Sequence, residues 1–335
     1  MEHKHVVGLT STEIAALWST YISDTISICM SKHFLQYIED EEVKPLIEEA
    51  LHASETHVKE IGNIFTKEQI PVPVGFSEKD VDLSAPPLFF DLFPLSYLYG
   101  MSRMGLLTYS ILLSNVARED VRLFFSKCLD TTQKLYNMSI SLMLEKGIYD
   151  RPPMIPYPDK AEFVKQKETF ISKWMETPRP LNVIELEEMF FNIERNYFGL
   201  ILLTGFIQVI KDEQLKRYLE RGKELAVKQI RFLNEKMMNE DLLGTVMVNT
   251  EVTTSTTSPF SERLIMSLMN IMNSSGLTYI GHALSTVTRM DLVAHFSSLI
   301  GEVLQYGKDG MDILIAREWM EEPPHAPNRK ELAKV

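Results

Sequence analysis

Apolar side chains recur at helical spacing through the first half of the chain. The first stretch places them on one helical face, at Ile14, Leu17, Tyr21, Ile28 and Leu35. After a break at Glu39-Asp40, a second stretch continues through Val43, Ile47, Leu51, Val58 and Ile61. Two further helices are predicted from about 89 to 116 and from about 120 to 146. Asp40 and Asp120 stand where N-caps of the second and fourth helices are expected.

The second half repeats this pattern of helices and loops. Helices are predicted near 183–210, 212–239, 259–288 and 291–319. In each half a short turn joins the first two helices and another joins the last two. A long loop of 69–87 or 248–259, rich in Pro or in Ser and Thr, lies between the second and third helices. Short turns produce antiparallel neighbours, so each half is predicted to be a four-helix bundle.

The two halves also align residue by residue. A shift of 172 places Glu13 on Glu185 and Glu48 on Glu220. A shift of 171 then aligns the corner between the third and fourth helices, with these pairs: Gly105 and Gly276, Arg118 and Arg289, Asp120 and Asp291, Pro152 and Pro323. One change of register across a whole module indicates an internal duplication.

We therefore predict an all-α chain of two tandem, ferritin-like, up-down four-helix bundles. Module one spans 1–158, a linker 159–180, module two 181–322 and a polar tail 323–335. The linker is rich in proline, and its centre, 160–175, reads as an amphipathic helix. Its aromatic residues Phe163, Phe170 and Trp174 are expected to be buried against a bundle.

Composition narrows the classes of partner and compartment. The formal net charge of −12 over 335 residues opposes binding to nucleic acid phosphates or an anionic membrane surface. No signal peptide and no apolar run long enough for a transmembrane segment is evident. The two cysteines form neither a disulfide framework nor a zinc cluster. These features predict a cytoplasmic protein.

A di-metal centre of the ferritin type needs a Glu from each of two helices and Glu-x-x-His from the other two. Glu49-Ala-Leu-His52 has that spacing, and Asp24 and His33 on the first helix are candidates to face it. The third and fourth helices supply no second motif. In module two, Glu49, His52 and His57 are replaced by Arg221, Glu224 and Gln229. Such changes predict a solvated face.

Module two offers a second candidate metal site. His282 and His295 lie about two turns on either side of the Arg289 corner, so their imidazoles are expected to come level. Two buried histidines suit a metal ion or a proton-sensitive pair, although no third ligand is evident, and the alternative is a pair of hydrogen-bonded core histidines. Cys29 and Cys128 are similarly expected on neighbouring helices, and the alternative is that each thiol is a buried core group. The candidate metal ligands are thus Glu49, His52, His282 and His295.

No motif of an enzyme active site is recognisable. The chain contains no glycine-rich phosphate loop and no nucleophile elbow, and no Ser/His/Asp set assembles from the pattern. No charged cluster is expected to be buried in both modules. The sequence leaves the question of an enzyme open, favours a non-enzymatic role, and assigns neither catalytic residues nor a cofactor.

The sequence segments at the end of module one, in the linker and at the start of module two resemble those of a known family. The relevant segments are Leu144-Glu-Lys-Gly-Ile-Tyr-Asp-Arg-Pro-Pro153, Phe163-Val-Lys-Gln-Lys and Arg179-Pro-Leu-Asn182. They resemble the spore-coat-protein-like family of unknown function from endospore-forming bacteria. The resemblance covers both modules, and it implies ferritin-like bundles and an association with spores. It implies no reaction and no site residues.

Three hypotheses of function follow. The first is a non-enzymatic binding or assembly protein, linked to sporulation or stress, that acts through a protein partner or self-association. The second is a ferritin-like metal protein or oxidase with a degenerate site. The third is a carrier of a small apolar ligand between helices.

Overall fold

The computed structural model describes residues 7–164, 179–242 and 252–333, and helices make up most of these residues. Helices α1 to α4 form module one, and α5 to α8 form module two. Their bounds are Ser11–Phe34, Lys44–Lys67, Phe93–Asn115, Glu119–Glu145, Val183–Val209, Glu213–Met238, Glu262–Thr286 and Met290–Ala316. A 3-10 turn at Glu78–Asp80 and a short helix α9, Arg329–Leu332, complete the elements of the described ranges. The prediction of an all-α, duplicated chain is confirmed.

Each module is two antiparallel hairpins joined by a long crossover. In module one, the start of α1 meets the α3–α4 corner, because Glu13 accepts hydrogen bonds from the backbone N–H of Ala117 and Arg118. The end of α1 meets the start of α3, where Phe34 contacts Phe93. Hence α2 and α3 run in the same direction, and the loop between them spans the length of the bundle. The up-down order holds within each hairpin and is interrupted at this crossover.

A buried charged cluster fastens that corner of module one. Glu13 is 1% exposed and completes a capping box with Thr10 at the start of α1. Arg118 pairs with Glu68 at the end of α2 and with Asp120, at 2.7 and 2.8 Å. Burial raises the pKa of Glu13, but four hydrogen bonds outweigh it and bring the pKa down to about 2. The cluster ties α1, α2 and α4 together.

Module two repeats this cluster position by position. Asn182 and Glu185 form the capping box, Glu185 accepts from the N–H of Arg289 at 2.9 Å, and Arg289 pairs with Glu240 and Asp291. The expectation that the modules share no buried charged cluster is therefore wrong. Asp120 is not an N-cap either, because Arg118 holds that position and Asp120 lies in the first turn, as Arg289 and Asp291 do in module two. Asp40 caps the turn before α2, whose N-cap is Val43.

The modules dock about an approximate two-fold axis. Val81 pairs with Phe260 and Phe89 with Val252, and a shift of 171 exchanges the members of these two backbone bridges. Helix α1 packs against α7 as α5 packs against α3. One hydrophobic core includes residues of both modules, such as Phe93 stacked on Phe198 with ring centroids 6.1 Å apart. The chain is thus an internal pseudo-dimer with an isologous interface.

The linker differs from its prediction where it is described. Residues 165–178, with most of the predicted amphipathic helix, lie outside the described residues. Residues 160–164 are not helical, and Phe163 is 95% exposed instead of buried. Throughout the described ranges, no helix combines the length and apolar character of a membrane span.

Candidate functional site

Three polar side chains meet inside module one. Asp24 of α1 accepts a hydrogen bond from Ser54 Oγ at 2.9 Å, and its other oxygen lies 3.1 Å from His57 Nδ1. Ser54 and His57 are three residues apart on α2, so both project from one face toward α1. All three side chains are buried. The prediction that His57 and Gln229 belong to a solvated face is wrong.

Aromatic rings hold the imidazole in place. The rings of Tyr109 on α3 and Phe124 on α4 meet His57 edge-on, with centroids 6.2 and 5.6 Å away. Burial, and then the negative charge of Asp24, raise the pKa of Tyr109 well above its usual range. The tyrosine is therefore a neutral hydrogen-bonding group. The cluster receives side chains from all four helices of the module.

A cavity of about 470 Å³ opens beside this cluster. Thr20 Oγ1 and Ser102 Oγ also line it, and both are buried without a hydrogen-bond partner in the described part of the chain. Its apolar wall is made mainly by module one and is closed by α7 and the segment after α8. The apolar residues include Trp18, Ile22, Leu98, Met101, Met104, Leu135, Ile271, Trp319 and Met320.

The cations and anions at the rim of this cavity already have partners. Arg263 pairs with Asp80 at 3.2 Å and donates to the Gly75 carbonyl, while Glu321 accepts from the N–H groups of Val74 and Gly75. Gly75 has a φ of +63°, and a Cβ there would meet Thr25 at 2.8 Å, so the turn needs glycine. Asp24 remains as a carboxylate whose described hydrogen-bond partners are Ser54 and His57 alone.

The equivalent positions in module two hold neutral amides. Asn196 replaces Asp24, Gln229 replaces His57 and Ala226 replaces Ser54. Asn196 Nδ2 donates to Gln229 Oε1 at 3.0 Å, so the hydrogen bond between the first two helices is retained without charge. Both amides are buried. The preserved polarity of these two positions is the sequence signal that identifies the cluster.

A second cavity, of about 140 Å³, lies between α3 and module two. Arg103 of α3 pairs there with Glu194 of α5 and lies over the Phe191 ring, with the guanidinium carbon 3.8 Å from the centroid. Burial raises the pKa of Glu194, although Arg103 opposes the rise. Asp150 and Arg195 also line this cavity. In module one, Ile22 stands at the position of Glu194 and Ser23 at that of Arg195, and neither residue carries a charge.

The residues proposed from sequence as metal ligands lie apart. Glu49 pairs with Lys134 of α4, and His52 is exposed. His282 is also exposed and lies 2.7 Å from Glu188, whereas His295 stacks on Phe232 with centroids 3.5 Å apart. The two imidazoles of module two thus contact different helices instead of each other. Burial, and then Lys228, lower the pKa of His295 to about 4.

The remaining candidates are core groups. His33 is buried against Tyr37 and Phe260, and burial lowers its pKa to about 4. Cys29 and Cys128 are free and buried in different hydrophobic clusters. The expectation that their helices are neighbours is wrong, because α1 packs mainly against α2 and α3. Burial raises the pKa of Cys29 to about 11, so its thiol is unreactive.

The donor set does not fit a metal centre in the part of the chain that is described. Across 7–164, 179–242 and 252–333, no three His, Cys, Asp or Glu side chains converge as ligands. Asp24 and His57 supply one carboxylate and one imidazole, and their other neighbours are hydroxyls and aromatic rings. A stable metal site needs three or four ligands.

Comparison with known families decides where this chain belongs. A family described as DUF3231, proteins of unknown function, matches residues 2–161 and again 169–332. The chain belongs to this family. The two matches coincide with the two modules, and the resemblance inferred from the inter-module segments is confirmed. Among curated proteins, none matches the chain.

One solved structure is similar to part of this DUF3231 protein. It comes from Bacillus halodurans C-125 and is named a "putative spore coat protein". The sequences are 22% identical, the TM-score is 0.41, and the match covers 45% of this chain and 98% of the other. The neighbour therefore corresponds in length to about one module.

Proposed function

We propose that this protein is a non-enzymatic binding protein whose first module holds a small, mostly apolar ligand with a hydrogen-bond-donating head group. The observation that carries the proposal is the cavity of about 470 Å³ with Asp24, Ser54 and His57 on its wall. Small-molecule sites typically measure about 300–1,000 Å³ and combine apolar walls with a few convergent polar groups. This cavity has both features.

The polar wall favours a donor as the head group of the ligand. When Nδ1–H donates to Asp24, the uncharged tautomer of His57 offers Nε2 as an acceptor, and we assign that tautomer from this hydrogen bond. The carboxylate of Asp24 accepts as well. An alcohol or an amine satisfies these acceptors, whereas a carboxylate ligand would face Asp24 with no free cation among the described lining residues.

The arrangement of the same side chains argues against a hydrolase. Ser54 donates to Asp24 and makes no hydrogen bond to His57 among the described contacts. A nucleophilic serine requires the reverse arrangement, in which the histidine accepts the hydroxyl proton and the carboxylate orients the histidine. The cluster is therefore suited to binding rather than to acyl transfer.

The other hypotheses remain predictions with separate tests. Elemental analysis of the natively purified protein tests the metal hypothesis, and near-stoichiometric metal lost on His52→Ala or His282→Ala would revive it. Size-exclusion chromatography with light scattering tests self-association. Localisation in sporulating cells tests both the expected cytoplasmic location and the expected link to spores.

Titration calorimetry with three probes tests the binding proposal. We expect 1-naphthylmethanol and 1-naphthylmethylamine to bind the wild-type protein more tightly than 1-naphthoate. Ser102→Leu fills the cavity from α3, and it should weaken the binding of the alcohol and of the amine by at least about tenfold, or about 1.4 kcal/mol. Ser114→Leu, on the exposed face of the same helix, is the matched control. Absence of binding to the wild-type protein, or equal binding to Ser102→Leu, would contradict the proposal.

A further inference from the structure

The second cavity contains an arginine that pairs with no acid in the described structure. Arg195 Nε is inaccessible to solvent and has no hydrogen-bond partner among residues 7–164, 179–242 and 252–333. Those ranges also show no ion pair to its guanidinium. Burial lowers the pKa of Arg195 to about 10, which leaves it charged at neutral pH. A partly buried cation that has no counter-ion among the described residues costs free energy, so an anionic ligand would stabilise it.

The two acids of this cavity are engaged elsewhere. Glu194 pairs with Arg103 across the module interface. Asp150 lies close enough to Glu194 to raise its pKa, and it has a partner of its own. Tyr279 is the neighbour that supports the charge of Arg195, and burial raises the pKa of that tyrosine, so its hydroxyl stays neutral. The described residues of this cavity therefore provide no anion that pairs with Arg195.

The surrounding backbone gives the guanidinium its space. A Cβ at Gly276 of α7 would lie 2.6 Å from Arg195 Nη1, a distance that side chains do not tolerate. Glycine at this position permits the close approach of α7 to the planar fork. In module one the aligned Gly105 faces Thr132 instead. The same glycine therefore serves two different environments.

A second donor accompanies the arginine. Asn196 Nδ2 donates both to the Asn192 carbonyl oxygen at 2.7 Å and to Gln229 Oε1 at 3.0 Å. These bonds fix the amide orientation of Gln229 and leave its Nε2 group without an acceptor in the described chain. Gln229 also lines the cavity. This cavity thus holds two donors without acceptors within the described ranges, Arg195 and Gln229, beside the engaged carboxylates of Glu194 and Asp150.

We propose that this cavity binds a small apolar carboxylate, with the guanidinium of Arg195 holding the carboxylate and Gln229 as an additional donor. A guanidinium fork matches a carboxylate in bidentate geometry. The rest of the wall is apolar and flexible, with Met101, Met104, Phe198, Leu225, Met269 and Met272. The volume of about 140 Å³ suits a ring-sized body, since an engineered protein cavity of about 150 Å³ binds benzene.

Benzoate is the probe, and calorimetry of the full chain is the test. We expect benzoate to bind, while benzyl alcohol and benzylamine of matched size bind this site at least about tenfold more weakly, as loss of a charge-assisted contact implies. Arg195→Met keeps the bulk and removes the charge, and it should weaken benzoate by at least about tenfold. Arg221→Met is the control, because Arg221 is an exposed arginine of the same module that pairs with Asp309 outside this cavity.

A second variant keeps the test decisive if Arg195→Met does not fold. Gly276→Ala leaves the charge in place and displaces the guanidinium, so it should also weaken benzoate. Benzoate that fails to bind the wild-type protein, or binds both variants unchanged, overturns the proposal. Inorganic phosphate that binds as tightly as benzoate overturns the class of ligand, because it would show a general anion site.

Discussion

The corner and the interior of the two modules have diverged to very different degrees. At the corner, Glu13 and Arg118 of module one recur as Glu185 and Arg289, with the same backbone N–H donors and corresponding carboxylate partners. In the interior, Asp24 becomes Asn196, and the Ser23 position becomes Arg195. The comparison separates residues that maintain the bundle from residues that set the chemistry of its cavity. It also gives each module a control in the other.

The corner cluster should give the largest effect on stability. Glu185 pairs with Arg179 at 2.7 Å and is fully buried, whereas Glu13 has no arginine at the equivalent place. Glu185→Ala should lower the free energy of unfolding by about 3–5 kcal/mol, since it breaks the buried ion pair with Arg179 and removes the acceptor of the Arg289 N–H group. Glu13→Ala should cost about 2 kcal/mol. Urea denaturation measures both, with the exposed Glu187→Ala as control. Equal losses for Glu185→Ala and Glu187→Ala would show that the corner cluster does not stabilise module two.

The second largest effect should be the dependence of the free energy of unfolding on pH. Burial is the main cause of the low pKa, about 4, of both His33 and His295. A histidine in the unfolded chain has a pKa of about 6.5. The free energy of unfolding is therefore unaffected by these histidines above that pH, and it decreases as the pH falls from about 6.5 to 4, because protonation favours the unfolded chain. Each histidine should account for about 1–3 kcal/mol.

Unfolding curves at pH 7, 6 and 5 should show this loss. His295→Phe introduces the residue that module one has at Phe124, and His33→Phe is the companion variant. Each variant should reduce the slope of the free energy of unfolding against pH, whereas His52→Gln, at an exposed position, should leave that slope unchanged. A slope that none of these variants alters would show that the two buried rings do not control this response.

Exchange of the interior pairs should have the smallest effect on stability. Asp24→Ala leaves Ser54 and His57 without their acceptor and should cost about 2 kcal/mol. Asp24→Asn with His57→Gln installs the hydrogen-bonded pair of module two and should cost less than about 1 kcal/mol. Thermal unfolding compares the variants. A double variant as unstable as Asp24→Ala would show that the Asn–Gln pair of module two cannot replace the Asp–His pair of module one.

Much of the fold was accessible from the sequence because duplication repeats every signal. Helix ends were predicted within a few residues at most termini, since loops and corner residues recur at a fixed shift. The corner cluster was missed although Glu13, Arg118 and Asp120 were aligned, because the partner Glu68 is distant in sequence and lies beyond the end of α2.

The interior was harder to predict. Helical periodicity ranks positions by hydrophobicity, so a buried polar residue such as His57 or Gln229 is assigned to the surface. The clue was that both modules keep a hydrogen-bonding pair at these positions while its charge changes. Arg195 gave a weaker clue, since a long side chain on an amphipathic helix usually reaches solvent. Its lack of a partner is visible only after the helices are packed.

The two proposals together assign opposite kinds of head group to the two cavities of one duplicated frame. Calorimetry with 1-naphthylmethylamine and benzoate tests this assignment most directly on the wild-type protein, the Asp24→Asn/His57→Gln variant and Arg195→Met. We expect the Asp24→Asn/His57→Gln variant to lose affinity for the amine and to keep its affinity for benzoate, and Arg195→Met to lose affinity for benzoate and to keep its affinity for the amine. Variants that weaken both probes together, or neither, would contradict it.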